Sequence, residues 1–288
     1  SWTGTDYDWI TAGGGGGADL FAENYDGTST LPSATGTNAI AIGAEAIATN
    51  TNSFAGPKSR TTGGNSFSCN IGSNSSSYGA QGSSSVAMGP SAKTTTNYGY
   101  ALGRNASSTA QYAVILGGYA CEASANYGYA FGHRGKAEFI GKYAFGVYTS
   151  NTVGDSQGGY MVLARNTTDA TPAAVCSDGG NSTAGSTNQI VLPNNSAIAF
   201  HGTIVARQQA SSGTASAAWK IEGLIRREGS AGTTVLVNSA TTVLDNTPSW
   251  GMTLSADTTN GALKIEVTGA SATNIRWVAT VSTSEVTY

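Results

Sequence analysis

One short phrase returns between residues 85 and 149 and decides what the chain can fold into: Val86-Ala87-Met88-Gly89, Tyr100-Ala101-Leu102-Gly103, Val114-Ile115-Leu116-Gly117, Tyr129-Ala130-Phe131-Gly132 and Tyr143-Ala144-Phe145-Gly146. The closing glycines lie 14, 14, 15 and 14 residues apart, and a second small residue follows three positions later at Ala92, Ala106, Ala120 and Gly135. The phrase opens earlier, at Ala39-Ile40-Ala41-Ile42-Gly43 with Ala46 behind it, and loosens between residues 50 and 84, where inserted or shortened corners break the spacing. A fixed period of this kind is the mark of a repeat architecture.

About fourteen residues are too few for a helix, a strand and two loops, but they suit two short strands joined by two tight corners. The expected unit is one coil of a parallel β-roll or solenoid, stacked on its neighbours by backbone hydrogen bonds. Within each phrase large and small side chains alternate, so Ala101 and Ala130 face one way while Tyr100, Leu102, Tyr129 and Phe131 face the other. With the alanines inside, the bulky face forms a continuous stripe that needs cover from other chains. The opposite arrangement, large residues inside and alanines at the contact between chains, predicts association equally. The glycines, Gly43, Gly89, Gly103, Gly117, Gly132 and Gly146, fit corners that require positive φ or a close backbone neighbour.

Composition narrows the class. The 288 residues carry a net charge of -3 with only 11% charged residues, against 39 glycines, 13 tyrosines and 5 tryptophans, which points to a rigid, β-rich extracellular protein. The 14 basic residues are spread thinly, Arg226-Arg227 being the longest run, so no field exists to capture nucleic acid. No apolar window is long enough to span a membrane. The chain begins at Ser1, as expected of a fragment or a processed product. Cys69, Cys121 and Cys176 are scattered and read as small structural side chains.

Three regions are expected. Residues 1–37, with Trp2, Tyr7, Trp9, Phe21 and Tyr25 around the run Gly13–Gly17, form an attachment or hinge segment; the glycine run lacks the lysine and hydroxyl of a phosphate loop. Residues 38–152 form the β-roll shaft, with loops such as Pro57-Lys58-Ser59-Arg60 leaving its body. Residues 153–288, where the repeat stops and Gly158-Gly159 marks a joint, form an antiparallel β-sandwich of jelly-roll type that caps the solenoid. Its strands alternate clearly in Trp219, Ile221, Gly223, Ile225, in Leu263, Ile265, Val267 and in Ile275, Trp277, Ala279, Val281, and Asn260-Gly261 is its sharpest turn signal.

Catalytic spacing is absent. His133 and His201 lack partners for a metal site or a triad. The acid pairs Asp169 with Asp178 and Asp245 with Asp257 sit in turn-like settings, where aspartate is expected anyway. No catalytic residue, metal or cofactor is expected, and the chain is read as not an enzyme, although a carboxylate pair across chains is left open. Tyr112, Tyr119, Tyr127, Tyr143 and Tyr148 are candidates for stacking on sugar rings; at Tyr100, Tyr129 and Tyr143 packing between chains is favoured. In the distal region Asn181, Asn194, Asn195, Trp250, Asp257 and Asn260 are candidate receptor-binding loop residues.

The phrase Asn38-Ala39-Ile40-Ala41-Ile42-Gly43-Ala44-Glu45-Ala46, echoed by Ser85-Val86-Ala87-Met88-Gly89-Pro90-Ser91-Ala92, resembles the head repeats of trimeric autotransporter adhesins, three chains of left-handed parallel β-roll packed side by side. Those adhesins continue into a coiled-coil stalk, and this chain has no heptad segment. Its distal half, with Gln189 to Ser196 and Ile275 to Val281, resembles the C-terminal β-sandwich of tailed-phage fibre proteins. Together the resemblances imply an all-β homotrimeric phage tail fibre or spike, extracellular on the virion surface. It would be joined to other virion proteins through its N-terminal segment and hold a host-surface glycan or protein by multivalent adhesion without catalysis. A structural capsid or head decoration fibre and a polysaccharide-degrading tailspike are the alternatives.

Overall fold

The computed structural model describes residues 29–210, 215–246 and 248–288. The aromatic residues and glycine run between positions 1 and 28, expected to serve attachment, lie outside the described residues. Eight coils follow, each giving one short strand to each of two parallel sheets. The first sheet runs from Ser33–Ala34 through Gly79–Ala80 and Ser107–Ser108 to Lys136–Ala137. The second runs from Ile40–Ala41 through Val86–Met88, Tyr100–Arg104, Val114–Tyr119 and Tyr129–Gly132 to Tyr143–Gly146. The first strand therefore begins before residue 38.

Registry is strict: Tyr100 pairs with Val86 and Val114, and Ala101 with Ala87 and Ile115. Each repeated position thus becomes a column along the rod. The two arrangements left open by the sequence are now distinguished. Ala87, Ala101, Ala130 and Ala144 from one sheet and Ala48, Ala80, Ala123 and Ala137 from the other are fully buried, while Leu116 is 57% and Phe145 64% exposed. Small side chains let two backbones lie close, and where hydroxyls replace alanines inside, the backbone satisfies them. Ser85 Oγ donates to Gly82 O at 2.6 Å, and Thr94 Oγ1 donates to Ser85 Oγ at 2.9 Å.

Corner chemistry departs from the sequence reading in three places. Gly43, Gly89, Gly103, Gly117 and Gly132 are left-handed as expected, but so are non-glycine residues at both corners, Asn38, Asn52, Asn65, Tyr98, Tyr112 and Tyr127 at one and Ser91, Asn105, Ala120 and Arg134 at the other. Ala46, Ala92 and Ala106 are buried in one column, but Ala120 is not its next member. The extra residue of that coil, Gly118, shifts the place to Cys121, which is 1% exposed and whose thiol is pushed up by burial. Gly146 is not left-handed; it ends the last coil, where a Cβ would lie 2.3 Å from the Gly135 nitrogen.

The second sheet does not stop at the last coil. Tyr143–Gly146 pairs antiparallel with Ser156–Thr167, and Ile275–Thr287, Ser196–Gln208, Ser216–Arg227 and Val235–Asp245 follow in that order, making one sheet of 13 strands. Gly158 and Gly159 are no joint, because they lie inside Ser156–Thr167 opposite Phe145 and Ala144. Four shorter strands, Ala173–Ala174, Ile190–Val191, Gly251–Asp257 and Ala262–Thr268, form a third sheet. Ile198, Ile204, Trp219 and Trp277 of the long strands share one buried core with Leu263, Ile265 and Val267 of the short ones. The alternation read in the sequence is what puts these residues on one face.

Candidate functional site

One corner of the rod changes character along its length. In the early coils its left-handed position holds Asn38, Asn52 and Asn65, which form a side-chain amide ladder with Asn38 Nδ2 to Asn52 Oδ1 at 3.3 Å and Asn52 Nδ2 to Asn65 Oδ1 at 2.9 Å. Later coils put Tyr98, Tyr112 and Tyr127 there, with φ of 61°, 58° and 57°. Asparagine tolerates that conformation, whereas a bulky tyrosine in it stores roughly 1–3 kcal/mol. The rings stack at 5.1 and 5.0 Å with interplanar angles of 2° and 3°, yet remain 44%, 41% and 53% exposed. Three parallel rings one coil apart, held in strained backbone and half open to water, form an aromatic ladder whose outer faces and edges can meet the flat apolar faces of other groups. Tyr98 escapes the sequence reading, although it precedes Tyr112 by the repeat length.

A second aromatic column lies on the outer face of the second sheet. Phe54 stacks on Phe67 at 4.7 Å and Tyr129 on Tyr143 at 4.4 Å, and Tyr160 meets Tyr143 edge-on at 6.3 Å. Burial first, and then the neighbouring Tyr129 and Tyr160 phenols, push the Tyr143 hydroxyl up. Met88, Leu116 and Phe145 stand exposed beside this column. An extended apolar face of this kind suits chain–chain contact better than a soluble ligand.

The distal residues converge only in part: the Leu192 N–H donates to Gly261 O at 2.9 Å, which brings the Asn194–Asn195 corner beside the Asp257–Asn260 turn. Trp250 is 5% exposed and packs against Trp277 at 5.7 Å, so it presents no surface to a receptor. Asp257 and Asn260 belong to one turn: Asp257 accepts from the backbone N–H groups of Thr259 and Asn260 at 3.0 Å, from Asn260 Nδ2 at 2.8 Å and from Gln189 Nε2 at 2.9 Å. Burial raises the Asp257 pKa, but these donors outweigh it and hold the carboxyl below its ordinary value. Only Gly261 of the Asn260-Gly261 pair is left-handed. Asn195 is left-handed and its N–H donates to Glu228 O at 3.1 Å, Asn194 is exposed beside it, and Asn181 Oδ1 accepts from Asn166 Nδ2 at 3.3 Å.

Asp169 accepts from the Thr171 N–H at 2.7 Å, and Asp178 accepts from Asn188 Nδ2 at 3.0 Å. Both thus serve their own turns. His201 lies with Lys220, Glu222 and Thr203 in an open depression of about 460 Å³ on the outer face of the long antiparallel strands. A glycosidase pair needs two carboxylates, and this lining supplies Glu222 alone. Among the described residues no group of three His, Cys, Asp or Glu is placed to hold a metal, and no helix is long and apolar enough to cross a membrane.

Comparison with known proteins agrees with the coil geometry. The YadA head domain repeat matches twice, at residues 34–55 and 80–106. The N-terminal half carries YadA-like head repeats. No curated protein matches the chain. Among solved structures it is similar to the tailspike gp49 of Acinetobacter baumannii bacteriophage Fri1, a capsular polysaccharide depolymerase, at 11% identity over 82% of this chain and 40% of that one, with a TM-score of 0.28. It is also similar to the tailspike of Acinetobacter phage vB_ApiP_P1, at 11% identity over 83% of this chain and 52% of that one, with a TM-score of 0.23. A third is the tailspike of Acinetobacter baumannii phage AM24, at 8% identity over 86% and 47%, with a TM-score of 0.24. The chain spans about half or less of the length of these tailspikes. The sequence reading that the chain is not an enzyme is overturned here, since one matched tailspike is a depolymerase, and the restriction to non-catalytic adhesion is dropped.

Proposed function

We propose that the chain is part of a tailspike or tail fibre on the surface of a phage, in which three copies pack side by side along the coils and hold a polysaccharide of the host surface. The observation that carries the reading is the Tyr98–Tyr112–Tyr127 ladder: aromatic rings kept exposed at a backbone conformation that asparagine fills without strain in the early coils. The outward face of Tyr100, Leu116, Tyr143 and Phe145 supports the self-association. The long antiparallel strands and their short four-stranded partner form a sandwich-like tip built on the same sheet as the shaft. Three weak sites on one rigid particle bind together through high effective concentration.

The reading is tested by applying the labelled full chain to an array of purified bacterial capsular and O-antigen polysaccharides, beside a Tyr112→Ala variant. Binding to a subset of spots that the variant loses is the expected result; no binding to any spot ends the reading. A second reading is that the protein also cleaves what it binds, as one of the matched tailspikes does. Release of oligosaccharides from a bound polysaccharide supports it, and an unchanged polymer size rejects it.

A further inference from the structure

At the other corner of the rod a cationic column runs alongside the apolar face. Arg104, Tyr119 and His133 occupy one register position in successive coils, with Tyr119 bridged to His133. The Arg104 guanidinium lies over the Tyr119 ring at 5.3 Å, and that of Arg134 lies 5.7 Å from Tyr119 and 5.6 Å from Tyr148. The His133 imidazole meets Tyr119 edge-on at 4.9 Å and lies along Tyr148 at 4.7 Å. Arg134 is aimed by two bonds to Asn151, one to its backbone oxygen and one to Oδ1 at 3.1 Å.

Neither guanidinium is neutralised. The ion pairs among the described residues use Lys58, Lys136, Lys142, Arg226 and Lys264, and no carboxylate is paired with Arg104, Arg134 or His133. Two guanidiniums that share one ring add their positive charge without a carboxylate between them, although a chain with 17 acidic residues has carboxylates to spare. Arg104 and Tyr148 are exposed, so the column is open to solvent at its two ends, with Tyr119, His133 and Arg134 half-buried between them. From Arg104 to Tyr148 is three coil steps, a span of roughly 14 Å at about 4.8 Å per step.

We infer that this column binds an anionic stretch of the polysaccharide, in which a pyranose ring bearing a carboxylate stacks on the exposed Tyr148 while the Arg104 and Arg134 guanidiniums, braced on the Tyr119 ring, take carboxylates. The inference deepens the adhesin reading and rests on it for the class of ligand. Guanidinium matches carboxylate geometry with two parallel N–H donors, and an adjacent ring face supplies the apolar contact that a sugar needs. The tyrosine ladder at the opposite corner has no cation among its stacked members, so the two corners differ in the charge of sugar they favour.

The test is calorimetric titration of the full chain with oligogalacturonate, with neutral dextran and with dextran sulfate of matched length. Expected are binding of oligogalacturonate, no binding of dextran, and a fall of about tenfold or more in oligogalacturonate affinity for Arg104→Gln. Arg104→Gln is the primary variant because Arg104 touches only a ring face, whereas Arg134→Gln also releases Asn151; circular dichroism and sedimentation mass of both are checked beside the wild type. Absence of oligogalacturonate binding overturns the inference, as does dextran sulfate binding that Arg104→Gln leaves unchanged. An altered sedimentation mass for Arg104→Gln overturns it too, by placing the column between chains. Array binding that survives both arginine variants on acidic spots removes the inference and leaves the adhesin reading standing, whereas a wild-type chain that binds no spot removes that reading itself.

Discussion

Lys142 and Glu285 meet at 2.6 Å as a buried ion pair, joining the last coil to the final strand. The register position that Lys142 fills holds Ser53, Ser66, Ser85, Gly99, Ala113 and Gly128 in earlier coils. Those side chains are small because another coil lies above them; above Lys142 the chain has turned antiparallel, and the ammonium reaches into the gap. Gln157 Nε2 and Thr283 Oγ1 donate to the Glu285 carboxylate at 2.8 and 2.6 Å, and the Lys142 ammonium lies 4.4 Å from the Phe139 ring centre. Gly159 leaves the space: a Cβ there would lie 2.5 Å from Glu285 Oε1.

Breaking this pair from one side leaves a buried charge alone. Lys142→Ala and Glu285→Ala are each expected to cost about 3–5 kcal/mol, while the double variant costs less than the two together. Chemical denaturation of the four proteins in a double-mutant cycle checks it, and additive losses would contradict the coupling.

The coil corners are expected to be intolerant of side chains. Gly103 has φ of 137° and a Cβ there would stand 2.6 Å from Gly118 O; at Gly132, with φ of 80°, the distance to Gly146 O is 2.3 Å. Gly132→Val is expected to lose about 2–3 kcal/mol or to fail to fold. Unchanged melting by circular dichroism would count against the close approach.

The tyrosine ladder separates stability from binding. Tyr112→Asn restores the residue type that the early coils use in the left-handed position, so melting is expected to hold or rise, while polysaccharide binding falls. A variant that binds as tightly as the wild type would show the ladder to be packing alone.

The outward apolar face is expected to set the mass of the particle. Leu116→Glu with Phe145→Glu places carboxylates where burial between chains is proposed, which costs several kcal/mol per unpaired charge. Sedimentation at micromolar concentration is expected to show the wild type as a trimer and the variant as a single chain. A wild type that sediments as one chain refutes the face as an interface.

Strong acid should loosen the distal turn. The Asp257 carboxyl is depressed by its donors, so its contribution is complete above its unfolded pKa of about 3.9 and is lost as pH falls through the lower folded value. Asp257→Asn is expected to remove the part of the acid transition that lies in that window. Identical acid melting curves for both proteins would exclude this role.

The repeat length, the alternation of Ala101 with Tyr100 and Leu102, and the corner glycines were enough to specify parallel coils, because a strand has only two faces and a fourteen-residue coil has room for little else. The same alternation marked Trp219, Leu263 and Trp277 as core. Tertiary structure decided which face turned inward, since closeness of the two backbones, rather than any single residue, excludes large side chains there. It alone converted Gly158-Gly159 from a joint into strand, because pairing with Ala144 and Thr283 satisfies backbone that reads locally as a break. It alone aligned Tyr98 with Tyr127, and Arg104 with His133, into columns, and carried Glu285 to Lys142. Such neighbours are fixed by the stacking of coils and the return of the last strand, distances that no local stretch of sequence encodes.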